Sequence, residues 1–447
     1  MQLPVNKTLQ GIIEGINTSY PEAGRIVRIE ADCAAEAPAS WLLRQQQCPR
    51  YYWATRDRTF EMAGIGESDV IQPHALESVD AALAVIDAKI TAENTSARYY
   101  GGYKFYKSPA TDGRWRHFKA YRFVLPLLEL CRDGDRYFIA CNLNGNLSKK
   151  EVVDFLHRHM FCESDTTRQL PDFFNRTDLP DFSGWRQLVN KALTAIDNEA
   201  FQKVVLARET TVCASARIDP VSLIVKMRVA ADNLHLFCFE PVPGRAFLGA
   251  SPERLYKRTG KQLESEALAG TRPRSHNATE DAQMRQELLT STKERQEHQI
   301  VLKEISSILS AYCTTIDSAS EPEILKLMGC QHLRTPLSGI LKENISDTML
   351  LKALHPTPAV GGFPKEKALA WLHREEPFER GIYAAPVGWI GVNAAEFCVG
   401  IRSGLVSDTL LTLYSGAGIV RESNPDAEWH ELNAKLAFFL NIIGRIS

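Results

Sequence analysis

Residues 414–435 read YSGAGIVRESNPDAEWHELNAK: the end of a strand-like LLTLY run, two closely spaced glycines, a short polar break, and then a helix. Ser423 or Asn424 can cap that helix, Pro425 suits its first turn, and Asp426 lies near the positive end of its dipole. From that start Glu428, Glu431 and Lys435 fall on one stripe, because steps of three, four and seven residues return to the same face at about 3.6 residues per turn. The plain reading is a solvated face on which Glu431 and Lys435 pair for about 0.3–0.5 kcal/mol. Gly416 and Gly418 point elsewhere, since bare backbone feeding a helix N-terminus lets N–H groups approach an anion. The stretch therefore reads as a place where a cation and an anion are held together, and it expects a glycine-rich turn running straight into the helix.

Around it lies a chain of 447 residues, 44% hydrophobic and 24% charged, the composition of a globular protein with a large core. The 52 basic and 54 acidic side chains nearly cancel, so no global field draws the chain to nucleic acid or an anionic membrane. Ten cysteines occur without a CxxC pair or metal-type Cys/His spacing, and the N-terminus lacks a basic-then-apolar signal profile, so a cytoplasmic location is expected. Apolar runs such as RFVLPLLEL are broken well before the roughly 20 residues of a membrane span.

No repeat or low-complexity tract is visible, and the one candidate boundary is the polar, proline-punctuated segment 163–184. Before it, RYYWATRDRTFEMAGIG and the FVLPLLEL/DRYFIACNL pair around RDGD read as antiparallel strands. After it come a helix from near Ser183, strands at KVVLARETTV, HLFCFEP, RAFLGASPERLYKR and KQLESEALAG, and a long helix from about Thr279 to Tyr312. Strands return at APVGWIGV, EFCVGIRS and LLTLYSGAG, and runs of strands with separate helices predict an α+β fold.

Some charges stand where apolar residues are expected. In the long helix Val301, Ile305 and Ile308 form an apolar stripe, and one turn before Val301 stands Glu297, either at the stripe's wet end or a ligand. With Glu428 and Glu431 it makes three carboxylates on two helices, and oxygen-only ligation suits Mg²⁺ better than zinc. Lys203 opens the strand KVVLARETTV and Glu253 follows the SP turn; taken singly they are strand-end charges held at the surface. As a pair they would be a base and an acid whose desolvation pulls the lysine pKa down and pushes the glutamate pKa up.

Taken together, KVVLAR, SPERL, EALAGT, QHLRT, HPTPAVGGFP, RGIYAAPVGW, FCVGIRS, YSGAGIV and EWHELNAK resemble the chorismate-utilising enzymes, the family of anthranilate, aminodeoxychorismate, salicylate and isochorismate synthases. The resemblance spans about residues 195 to 440, and with PRYYWATRDRTFEMAGIG it is nearest the menaquinone-pathway isochorismate synthases. It implies an intertwined α+β fold of two large packed antiparallel β-sheets with outer helices, as in anthranilate synthase component I. Residues 1–180 then form the N-terminal half and 181–447 the chorismate-binding core, so the segment 163–184 is a seam.

The resemblance also implies roles. Glu297, Glu428 and Glu431 match ligands of Mg²⁺, which holds the ring carboxylate of chorismate. Tyr383, Arg402 and the backbone around Gly416 and Gly418 match the positions that hold the enolpyruvyl carboxylate, and Lys435 adds positive charge nearby. Lys203 is the base for water attack at C2, Glu253 the acid for loss of the C4 hydroxyl, and His355, Thr357 and Ala359 line the ring. HPTPAVGG departs from the FPAGTVSG-like stretch of the ammonia users, and no glutaminase module or glutaminase subunit is expected. Three alternatives stand beside isochorismate formation for menaquinone: the same reaction for a siderophore, a salicylate synthase, and a non-catalytic chorismate-binding homologue. Against the salicylate synthase, Ala359 and Val360 stand where salicylate formers tend to carry threonine.

Overall fold

The computed structural model describes residues 4–446 except 19, 47, 74–77, 94, 107–112, 161–168, 276 and 445, so residues 163–168 of the expected seam lie outside the described residues. Among the described residues, twenty strands form one hydrogen-bonded network, with eleven α-helices around it. The two expected sheets are recognisable as its two halves. In one, Lys203–Ala214 pairs with Leu410–Ile419, and the ladder continues through Ser403–Ser407, Arg245–Ser251, His235–Val242, Arg50–Ala54 and Phe60–Ile71, all antiparallel. In the other, Tyr99–Tyr103 pairs with Pro386–Ile390, followed by Ala394–Val399, Arg254–Thr259, Gln262–Pro273 and Cys330–Leu341.

The long strand Tyr121–Asp133 joins the halves. Phe60–Ile71 runs along one of its edges, while its other edge pairs with Arg136–Leu143 through Leu128–Asp133 and with Tyr99–Tyr103 through Tyr121–Val124. Strands on either side of residue 180 therefore share ladders, as Arg50–Ala54 does with His235–Val242.

Period-two alternation turns one face of each half inward. Trp53, Met62, Phe237 and Phe247 of the first half meet Tyr100, Trp389, Phe397 and Tyr256 of the second in one buried cluster. Each such side chain, fully removed from water, contributes about 1.5–3 kcal/mol. The first half's outer face is covered by the helices Val5–Thr18, Pro38–Arg44, Pro220–Ala230 and Pro425–Ile443.

Two local readings are corrected. The expected long helix is two, Ala278–Thr290 and Thr292–Tyr312, broken at Ser291, whose extended backbone ends the first while its hydroxyl accepts from Glu294 N to start the second. The Ser-x-x-Glu pattern at 291–294 is the signal that marks this start. Gly416 and Gly418 are not in the turn before the last helix but inside the strand Leu410–Ile419, opposite Ala207 and Val205. The helix begins at Pro425, where Asn424 Oδ1 accepts from the backbone N–H groups of Asp426 and Ala427 at 3.0 and 3.1 Å.

Candidate active site

Alternation along Lys203–Ala214 puts Lys203, Val205 and Ala207 on the inward face, with Val204 and Leu206 packed outward beneath the helices Phe182–Asp197 and Lys365–Glu375. Because Gly416 and Gly418 stand opposite Ala207 and Val205, the neighbouring strand contributes no side chains there. A Cβ on Gly418 would collide with Glu297 Oε1 and lie 3.0 Å from Lys203 Cε; one on Gly416 would lie 2.7 Å from Tyr383 Oη. The two glycines are thus the room into which a lysine, a glutamate and a tyrosine project.

That room is a cleft lined by Glu253, Glu297, Ala359, Tyr383, Arg402, Gly416, Gly418 and Lys435 among others, so most of the residues singled out in the sequence meet there. Lys203, fully buried, places its Nζ 2.9 Å from Glu297 Oε1. Arg380 locks the loop carrying Ala359 to the floor, donating to Val360 O at 2.8 Å and Val205 O at 2.6 Å. Thr357 stands beside the Glu253 carboxyl. His355 lies behind the loop instead, with Tyr103 and Phe105 each edge-on to its ring at 5.5 Å. Burial, then Lys365 and Arg380, hold its pKa well below the usual value, so it is a neutral packing group there. Neither His355 nor Thr357 is among the lining residues, and neither are Lys203, Glu428 and Glu431; Lys203 and Glu431 reach the lining through their partners Glu297 and Lys435.

The acids divide by environment. Burial, reinforced by Glu266, pushes Glu253 up to about 8 despite Lys203 and Lys435 nearby, so it carries its proton at neutral pH. Burial pushes Glu297 the same way, but its pair with Lys203 wins and brings its pKa below the ordinary value. Glu428 is pushed up to about 7 by burial and then by Glu431, although Lys293 Nζ donates to it at 2.7 Å. Glu431 pairs with Lys435 at 2.6 Å, and Lys435 Nζ also donates to Gly416 O at 2.8 Å.

The structure thus pairs each acid of the expected metal set with a lysine. Among the described residues, no three Asp, Glu, His or Cys side chains converge as they stand on a metal-sized point. The donor set still fits a hard divalent cation: its atoms are carboxylate oxygens, and Glu428 is raised by burial first and by the neighbouring Glu431 second. In the long helix the buried row is Glu294, His298, Val301, Ile305 and Leu309 rather than the one through Ile308, and Glu297 lies at its edge facing the cleft.

Three neighbours escaped the sequence reading. Lys293 precedes Glu297 by one helical turn, a visible spacing. His332, from the quoted QHLRT, lines the cleft, and Cys330 touches Arg402 beneath it, an approach that only the pairing of distant strands creates.

Three comparisons bear on this architecture. The chain is 33% identical over 359 residues to the chloroplastic isochorismate synthase of Catharanthus roseus, covering 77% of this chain but spanning only 62% of that relative's length. It is 30% identical over 414 residues to the isochorismate synthase MenF of Bacillus subtilis, covering 88% of each. The solved structure of MenF, the menaquinone-specific isochorismate synthase of Escherichia coli, superposes with a TM-score of 0.86 at 29% identity, covering 98% of this chain and 100% of that one. A family model described as chorismate binding enzyme matches residues 14–444, and the chain belongs to that family.

Proposed function

We propose that the protein is an isochorismate synthase, converting chorismate to isochorismate with Mg²⁺, in the cytoplasm, for menaquinone formation. The observation that carries the reading is a cleft in which the buried Glu253, its pKa raised to about 8 by burial, meets Arg402 and Tyr383, with the fully buried Lys203 set against it through Glu297. Lys203 takes a proton from water as its oxygen bonds to C2, the ring double bond shifts, and Glu253 gives its proton to the hydroxyl leaving C4. One water enters and one leaves, so no redox partner is needed, and no ammonia-supplying glutaminase subunit is required. Arg402 and the Tyr383 hydroxyl face the enolpyruvyl carboxylate, a planar group that a guanidinium matches better than an ammonium.

Glu297, Glu428 and Glu431 would hold Mg²⁺, which supplies charge neutralisation and positioning for the ring carboxylate. All the proposed residues fall within 181–447, the core to which residues 1–180 add strands. Among the described residues no helix is long and apolar enough to cross a membrane, and the nine described cysteines are free thiols, which supports a reducing compartment.

Incubation with chorismate and Mg²⁺, in water and with added ammonia, followed by NMR of the product, tests the reading. Isochorismate in both tubes, lost with EDTA, is expected. Salicylate with pyruvate would make it a salicylate synthase, and binding without turnover a non-catalytic homologue.

A further inference from the structure

Arg402 stands in the left-handed backbone region, with φ at 50°, which side-chain-bearing residues adopt at a cost. Ala250 N donates to Arg402 O at 2.9 Å, and Ser403 Oγ donates to Gly400 O at 2.8 Å, pinning the turn. The guanidinium is gripped as well. Its Nη1 donates to Lys435 O at 2.9 Å, and its Nη2 donates to Cys330 Sγ at 2.8 Å while lying 3.2 Å from His332 Nε2. His332 is in turn fixed through Nδ1, 3.2 Å from Gly270 O and from Thr271 Oγ1.

Arg402 has no carboxylate within ion-pair distance among the described residues, although it is a buried cation. What faces it is a sulfur that is itself fully buried, in close contact with Nη2 and 3.4 Å from His332 Nε2, so the two nearest side chains to this sulfur are a guanidinium and an imidazole. We propose that Cys330 is a thiolate positioning residue, the counter-ion that aims Arg402 so that its remaining N–H groups meet the substrate's carboxylate. Burial alone would push the Cys330 thiol up; Arg402 and then His332 overcome it and bring it down to about 6. A carboxylate at this place would compete with the substrate for the same planar fork, whereas one sulfur takes a single N–H direction; with two more turned to Lys435 O and His332, two of the five N–H groups remain open. The contact between Cys330 and Arg402 stands on its geometry; its use rests on the reading of Arg402 as the carboxylate binder.

The test uses the full chain and two readouts. First, the ligand-free parent at neutral pH should show one thiolate equivalent more absorbance at about 240 nm than Cys330→Ser, and Arg402→Gln should lose the same band. No difference between parent and Cys330→Ser overturns the proposal whatever the enzyme makes. Second, Cys330→Val should raise KM for chorismate about tenfold with kcat within about threefold, and Cys330→Ser should recover part of the loss. An unchanged KM in a folded Cys330→Val protein overturns the positioning role. If the band is present but the parent never converts chorismate, the ion pair is supported and the functional reading falls instead.

Discussion

Glu253→Gln should trade activity for stability in a pH-dependent way. The folded protein holds the Glu253 proton with a pKa of about 8, against an ordinary value of 4.5 that applies to the unfolded chain. The folded state therefore binds more protons between those limits, and its stability, full below pH 4.5, falls as pH rises toward 8. The difference of 8 − 4.5, or 3.5 units, at 1.36 kcal/mol each gives a loss of about 5 kcal/mol, complete by about pH 9. At pH 5 the same linkage removes only about 1 kcal/mol. Glutamine is neutral in both states and escapes the loss.

Differential scanning calorimetry of parent and variant across this range reads the effect directly. At roughly 2.1 cal/mol/K per residue of unfolding entropy, 447 residues turn 5 kcal/mol into a rise in Tm of about 5 °C at pH 9. At pH 5 the rise should be about 1 °C. Meanwhile kcat should fall by roughly 10² or more, since an amide cannot protonate the leaving hydroxyl, and kcat/KM of the parent should decline above about pH 8 as the acid ionises. A variant no more stable than the parent at pH 9, or one turning over chorismate within about threefold of it, would refute the placement of a protonated acid at this position.

Lys203→Ala should lose about 10² or more in kcat while KM for chorismate changes less, read by steady-state kinetics, and a folded variant near the parent rate removes the lysine as base. Glu297→Gln and Glu428→Gln should each raise the Mg²⁺ concentration needed for half-maximal rate or abolish turnover, with circular dichroism unchanged; unaltered Mg²⁺ dependence in both takes them out of the metal site. Gly418→Ala should keep the fold, because its strand conformation admits alanine, yet lower kcat about tenfold or more by displacing the Glu297 carboxylate and the Lys203 side chain. Wild-type kinetics in that variant would show that the cleft yields at no cost.

What was legible in the sequence was local or periodic. Asn424 and Pro425 announce the last helix because capping is a matter of adjacent residues, and the apolar run after Lys203 announces a strand whose alternation sets which face the lysine takes. The gathering of Lys203, Glu253, Tyr383 and Arg402 was anticipated through resemblance to a family; spacing alone says nothing about which strands become neighbours. The misplaced glycines show the limit: as sequence they look like a turn, and only the ladder from Leu410 to Ile419 shows them opposite Val205 and Ala207. Cys330 was illegible for the same reason, since nothing near it in the chain names Arg402.

On the proposed reading, the charges around the cleft would accommodate a divalent cation and a dianionic substrate together. With Glu253 protonated and Glu428 ionised, as it is above about pH 7, the carboxylates Glu297, Glu428 and Glu431 stand with the cations Lys203, Lys293, Lys435 and Arg402, three formal negatives against four positives. The Cys330 thiolate brings the formal sum to zero. A dicarboxylate entering alone would leave two uncompensated negative charges in a largely desolvated space, and a divalent cation entering alone would leave two positive ones; each is costly where water is excluded. Together they restore balance, so the binding of either should favour the other, and reciprocally. The Lys203–Glu297, Lys293–Glu428 and Lys435–Glu431 pairs neutralise the acids that would hold a divalent cation. On the proposed reading Lys203, once parted from Glu297, must shed its own proton before it can accept one from the attacking water.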